Sequence, residues 1–269
     1  MIASIRSEFR KTLTTRMWWL LLLCEIALVA FFAASMGLAF SLSTEAQTDM
    51  SGNPMTIPPR EFAIMIYTIG VSFGYVFPLV LGALAVTTEV RHSTLDTTVV
   101  LQPRRGKVIV AKFVAIVPFA LLFAVTSIAT GLAVGAGALA VGGEPLLLDD
   151  PHVWRAMGMG LVALTAWALV GVGFGTAVTN QVAVIVVVLA FTQFVEPVLR
   201  FASAFAAGLQ PMGKFFPGAA GEAIVGSSLY SLAGAGDILA PWAGFAVLLA
   251  YGVMAAVIGW LTTFRKDLT

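Results

Sequence analysis

Between Arg155 and Glu196 the chain runs for 40 residues without a charged side chain. A helix needs only about 20 apolar residues to cross the hydrocarbon core of a membrane. Forty is too many for one crossing and far too apolar for a folded surface in water. The polar triplet Thr179-Asn180-Gln181 interrupts the run near its middle, which predicts two spans joined by a tight turn. Four further apolar runs have the length of a span, so the expected spans cover residues 18–40, 62–86, 113–139, 156–178, 182–199 and 241–263.

Composition agrees with lipid as the solvent. The 269 residues are 59% hydrophobic and 11% charged, against about 25% charged in soluble domains. Too little polar surface exists to cover a water-soluble globule. The expected fold is therefore an all-α membrane protein with six transmembrane helices, forming a single transmembrane domain over residues 1–269. The first run follows basic residues, as a secretory signal would. Its 23 residues exceed a signal's apolar region of roughly 7–15, so it reads as a retained span.

Lysine and arginine set the orientation. With both termini in the cytoplasm, eleven basic residues fall on the cytoplasmic side: those before residue 17, those between the second and third runs, and Arg265 with Lys266. Only Arg60, Arg155, Arg200 and Lys214 fall outside. The positive-inside rule selects this arrangement, in a multi-pass protein of the cytoplasmic membrane.

Three segments between the spans carry structure of their own. In residues 1–16, Ile2, Ile5, Phe9 and Leu13 recur at helical spacing with Arg6, Arg10 and Lys11 between them, the pattern of an amphipathic helix lying in the membrane interface. The loop at 87–107 holds Ser93 and Asp96 at the spacing of a helix-capping box. Leu95, Val99 and Val100 give it an apolar edge, and Gln102-Pro103 stops it before the basic cluster Arg104-Arg105-Gly106-Lys107. Such a helix suits a cytoplasmic partner; the plainer role is binding lipid headgroups. Residues 200–237 lie outside by topology yet are too apolar for a solvated loop. Pro211, Pro217 and several glycines argue against an unbroken span. A broken hairpin re-entering the outer leaflet reconciles the two facts, provided protein covers its backbone.

Chemistry-bearing patterns are scarce. The single cysteine, Cys24, and two distant histidines, His92 and His152, give no disulfide framework and no metal-ligand spacing. Gly208, Gly213 and Lys214 imitate a nucleotide-binding loop, but Phe215 stands where the magnesium-binding hydroxyl belongs. No catalytic constellation appears, and no enzyme activity, metal or cofactor of the chain's own is expected. Gly70/Gly74, Gly131/Gly135 and Gly171/Gly175 have the spacing for close helix approach, here a pointer to contact between subunits, though 26 glycines produce such pairs readily. Glu25 reads as the only acid well inside a span, either part of a pathway or a structural carboxyl. Glu196 and Arg200 are four apart, as in a helical ion pair.

With these features placed, the whole chain resembles the ABC type-2 permease family, membrane subunits of bacterial exporters. The most specific stretch is Glu89-Val90-Arg91-His92-Ser93-Thr94-Leu95, followed by Pro103-Arg104-Arg105 and Lys112. It is similar to the family's glutamate, threonine–hydrophobic pair, proline–basic pair and lysine opening the next span. Ser93 stands where many members have glycine. The resemblance implies that this loop is a coupling helix docking on a separate ATPase, with Glu89, Arg91, His92, Ser93, Thr94, Leu95, Asp96, Val99 and Arg104 as coupling residues. It further implies two ATPase subunits that hold ATP and magnesium, and a second permease, like or unlike this one. Membrane lipid is the remaining partner and nucleic acid is not expected. The expected function is export of a substrate, an amphiphilic, drug or lipid-like one being compatible with the composition. Rival readings are an ion- or proton-coupled secondary transporter, a membrane enzyme, and a non-transporting sensor or scaffold.

Overall fold

The computed structural model describes residues 1–42, 57–92, 105–205, 210–232 and 237–262. Among the described residues there is no β-strand, and six helical stretches are long and apolar enough to cross a membrane. The expected count of six is met.

Helix α1 (Ile2–Thr14) precedes the first span, α2 (Met17–Leu42). The second span combines α3 (Pro59–Tyr67), a π-helical turn at Gly70–Gly74, and α4 (Val76–Arg91). The third is α5 (Arg105–Gly142) and the fourth α6 (Pro151–Ala177). The fifth again contains a π turn, at Phe191–Val195, between α7 (Gln181–Ala190) and α8 (Glu196–Phe205). Short helices α9 (Gln210–Gly213), α10 (Pro217–Val225) and α11 (Leu229–Leu232) lead to the sixth span, α12 (Pro241–Thr262).

Local chemistry explains the breaks. Asn180 caps α7, its side-chain oxygen accepting the backbone N–H groups of Val182 and Ala183 at 3.0 Å, so the polar triplet separates the fourth and fifth spans. Asp150 caps α6 in the same way, through the N–H of His152 at 2.9 Å. Each π turn has a proline shortly beyond it, Pro78 and Pro197. Proline has no N–H to return to the fourth residue back and its ring crowds that carbonyl, which here belongs to Gly74 or Gln193. Widening the turn by one residue relieves the clash. Proline alone does not dictate this, since Pro118 sits inside α5 without a π turn.

The third span is longer than the sequence predicts. Its 38 residues extend about 57 Å at 1.5 Å per residue, well beyond a hydrocarbon core of about 30 Å. It starts before Lys112 rather than after it, so Lys112 lies within a helix and is buried.

The fourth span is the hub, packed against the second, third and sixth spans and α10. The second, third and fourth spans are the inner ones, with 72%, 56% and 61% of their apolar stretches buried; the first, fifth and sixth reach only 22%, 22% and 28%. Small residues permit the tight crossings. A Cβ on Gly171 would lie 2.0 Å from the carbonyl oxygen of Leu79, and one on Gly131 would lie 2.6 Å from that of Tyr67. Gly70 and Gly74 likewise face Ser127 and Val29. All three glycine pairs thus serve contacts between spans of one chain, which replaces the expectation of intersubunit contact for them.

Within the 200–237 segment, α10 is buried along its length and packs against α6 and α12. Protein, rather than water, covers Ala220, Ala223 and Ile224. The helix ends at Gly226, whose φ of 83° belongs to the left-handed region that glycine adopts without strain.

Candidate functional site

Two clusters of buried charge stand out, at different places in the bundle. One joins α1 to the ends of the second and third spans. Glu89, on the last turn of α4, is buried and faces both Lys11 at 2.5 Å and Lys112 at 2.9 Å. Glu8 faces the same two ammonium groups, each at 2.6 Å. The four side chains close an alternating ring of two carboxylates and two ammonium groups. Lys112 also donates to the carbonyl of Ala85 at 2.9 Å and is 1% exposed. Burying an ammonium this deeply is tolerable only because two carboxylates and a carbonyl replace its water. For Lys11, which is half-buried, burial works against the charge, but the hydrogen bonds to Glu8 and Glu89 outweigh it and raise its pKa above the usual 10.5. Phe9 packs on Phe119 beside the ring, with centroids 5.1 Å apart. Ile2 and Leu13 of α1 remain exposed.

This ring bears on the expected coupling residues. Glu89 turns inward, whereas Arg91 and His92 are exposed, Arg91 reaching Gln181 at 3.5 Å. Ser93, Thr94, Leu95, Asp96, Val99 and Arg104 lie outside the described residues. The ring therefore sits at both roots of the 93–104 segment, on the last turn of α4 and the second turn of α5. Glu8 had no role in the sequence reading; its one signal was an acid on an otherwise basic helix, three residues before Lys11.

The second cluster gathers around α10. Arg200 and Glu196 are only loosely paired, at 4.0 Å; the guanidinium instead donates to Glu222 at 2.8 Å. Glu222 also accepts from Ser228 at 2.5 Å and from Ser72 of the first π turn at 3.1 Å. Glu196 is used differently. Its two oxygens accept the backbone N–H groups of Gly218 and Ala219, at 2.9 and 2.8 Å, and so cap α10 from another helix. Arg200 stacks over the ring of Tyr230 at 3.9 Å, and Tyr75 stacks on Trp167 at 4.3 Å. Gln193 of the second π turn donates to the Tyr75 hydroxyl at 3.1 Å. Spacing found the helical pair Glu196/Arg200 but missed Glu222, the closer partner, because it is 22 residues away along the chain.

Glu25 is a separate case. It is fully buried, and the hydroxyl of Ser127 is the polar group its carboxyl faces, with no basic side chain paired to it among the described residues. Both side chains border the Gly70–Gly74 turn. A carboxylate in that setting needs a proton or a counter-ion. It is not the only acid inside a span, since Glu196 lies buried within the fifth.

No protein-family model matches this chain, and no curated protein matches its sequence significantly.

Proposed function

We propose that this chain is the permease subunit of an ATP-binding-cassette exporter of the type-2 kind. It moves an amphiphilic, drug or lipid-like substrate across the cytoplasmic membrane, driven by ATP and magnesium on a separate ATPase. Two permeases, alike or unlike, and two ATPase subunits form the working assembly. Both termini and the 93–104 segment face the cytoplasm, α1 lies in the membrane interface, and the α9–α11 hairpin re-enters the opposite leaflet.

The observation that carries this reading is the ring of Glu8, Lys11, Glu89 and Lys112. A coupling segment transmits force only if its roots are stiff. Here the roots of residues 93–104 are tied to each other, since Lys112 reaches both Glu89 and the Ala85 carbonyl, and both are tied to α1. A displacement imposed on that segment is passed to α1 and to the inner second and third spans together. ATP acts by binding one state of the partner more tightly than the other, since a ligand drives a change only through such a difference. Arg91 and Asp96 provide charged contact with the ATPase, and Leu95 and Val99 pack into its groove. Glu89 contributes by holding the root in place.

Replacing Leu95 and Asp96 by alanine tests this reading through ATPase copurification and ATP-driven efflux. Loss of both is expected; unchanged values for both would refute the coupling role. Ion- or proton-coupled transport is the second reading, favoured by the buried Glu25 and the charges around α10. It predicts that efflux stops when the ion gradient is collapsed with ATP still present, whereas the first reading predicts that efflux continues.

A further inference from the structure

The cluster around α10 borders a partly open cavity of about 160 Å³, lined by both π turns, by Tyr75 and Tyr230, and by Glu196, Arg200 and Glu222. Both π turns among the described residues border this one space, Ser72 and Phe73 from the first, Thr192 and Gln193 from the second. Turns of this kind occur mostly as single insertions in helices, frequently at functional sites. At about 30 Å³ per water, the space holds roughly five waters or one small ligand.

The charges around the cavity do not balance. Glu196, Glu222 and Arg200 are 1%, 4% and 6% exposed, two carboxylates against one guanidinium. Among the described residues, no other side chain lining the space is charged. Lys214 lies over the ring of Phe215, 5.6 Å from its centroid, and is absent from the lining. Residues 206–209 and 233–236 contain no ionisable side chain. The carboxylates also keep acceptor capacity. An ionised carboxylate offers about four lone-pair sites. Glu196 uses two of them on the N–H groups of Gly218 and Ala219. Glu222 uses three, on Arg200, Ser228 and Ser72. About three sites remain open beside the Tyr75 hydroxyl and the Gln193 amide. The N-terminus of α10 offsets part of the excess negative charge, as helix termini do, but supplies no full positive charge.

We propose that this cavity is a binding site for one monovalent cation, either an alkali-metal ion or a small primary ammonium. The bound cation completes the charge balance of Glu196, Glu222 and Arg200, and so fastens α8 and α10 to the first π turn. Because it depends on this site alone, the inference holds whether or not an ATPase drives the chain.

The test is thermal unfolding of the purified full-length protein in detergent, at fixed pH and ionic strength. Sodium, potassium or methylammonium chloride is titrated in place of N-methylglucamine chloride, whose cation is too large for the space. A saturable rise in Tm of several degrees is expected with at least one small cation, since a ligand that binds only the folded state stabilises it. Response to sodium or potassium identifies an alkali site; response to methylammonium alone identifies an ammonium site. Equal Tm values in all the salts overturn the proposal; a proton then neutralises the excess in place of a cation. Glu196→Gln removes the excess charge and is expected to abolish the cation response; a retained response overturns the assignment. Where that variant fails to fold, Gln193→Leu leaves the charges intact and is expected to weaken the apparent cation affinity roughly five-fold, the worth of about one hydrogen bond. Unaltered affinity there overturns the proposal as well.

Discussion

The two buried charge clusters are built from the same residue types and differ in balance. The ring at α1 has two carboxylates and two ammonium groups, each carboxylate between two cations. The cluster at α10 has two carboxylates and one guanidinium, with open space beside them. A cavity of about 100 Å³ also borders the ring, but its charges are already matched and leave none for a ligand to complete, which suits the mechanical role proposed for it. An unbalanced cluster next to a cavity is incomplete, and its missing part is a ligand. Buried ion groups cost desolvation free energy in either case, and breaking one is more costly than its absence would be.

Substitutions that remove one charge from each cluster break this comparison most sharply. Lys112→Ala should have the largest effect, because it strands Glu8 and Glu89 with only the half-exposed Lys11. Loss of about 3–5 kcal/mol of stability is expected in detergent unfolding. Adding Glu89→Gln to Lys112→Ala should recover part of it, which a double-mutant cycle would measure. Arg200→Ala comes next, at about 3 kcal/mol: it leaves Glu196 and Glu222 buried with no basic partner, though serine hydroxyls and the N–H groups of α10 still donate to them. If the α10 cluster is as balanced as the ring, Glu196→Gln will destabilise the protein as strongly as Arg200→Ala does. A smaller loss of about 1 kcal/mol is expected, because the change removes the surplus charge but leaves one of the N–H groups of Gly218 and Ala219 without its acceptor.

Smaller effects sharpen the contrast with surface charges. Lys11→Ala should cost less than about 1 kcal/mol, because a half-exposed ammonium is partly screened and its partners keep Lys112. Its raised pKa means that its contribution is complete below 10.5 and is lost only as pH rises through the higher folded value. Asp150→Asn should have the smallest effect, confined to the junction of Arg60 and the cap of α6. The N–H of His152 holds the Asp150 pKa below 3.8; desolvation opposes it, and Arg60 adds to the lowering. Its contribution is therefore present above that value and fades as pH falls through the lower folded one. A pH titration of unfolding for wild type and Asp150→Asn should converge at acidic pH and differ slightly at neutral pH.

Much of this architecture was legible in the sequence because lipid leaves a one-dimensional record. Each span is a run of apolar residues, and Asn180 marks the only break in the 40-residue stretch. What remained hidden depends on contacts between distant segments. Arg200 has Glu196 four residues away but bonds to Glu222, and no spacing rule reveals that choice. Lys112 looked like a basic flank because a lysine at the edge of an apolar run usually reaches for water; here Glu8 and Glu89 take the place of water. The π turns left a partial trace in Pro78 and Pro197, which Pro118 makes ambiguous. The glycine pairs were visible, but whether such a stripe meets its own chain or another is decided only by packing.

The most direct test of the central claim is isolation of the tagged full-length chain from membranes in mild detergent, assayed for a copurifying nucleotide-hydrolysing subunit. An ATP-binding-cassette subunit in equal amount with the wild-type chain, and its loss with Leu95→Asp, is the predicted result. A chain that moves its substrate in vesicles with no such subunit present would contradict the account.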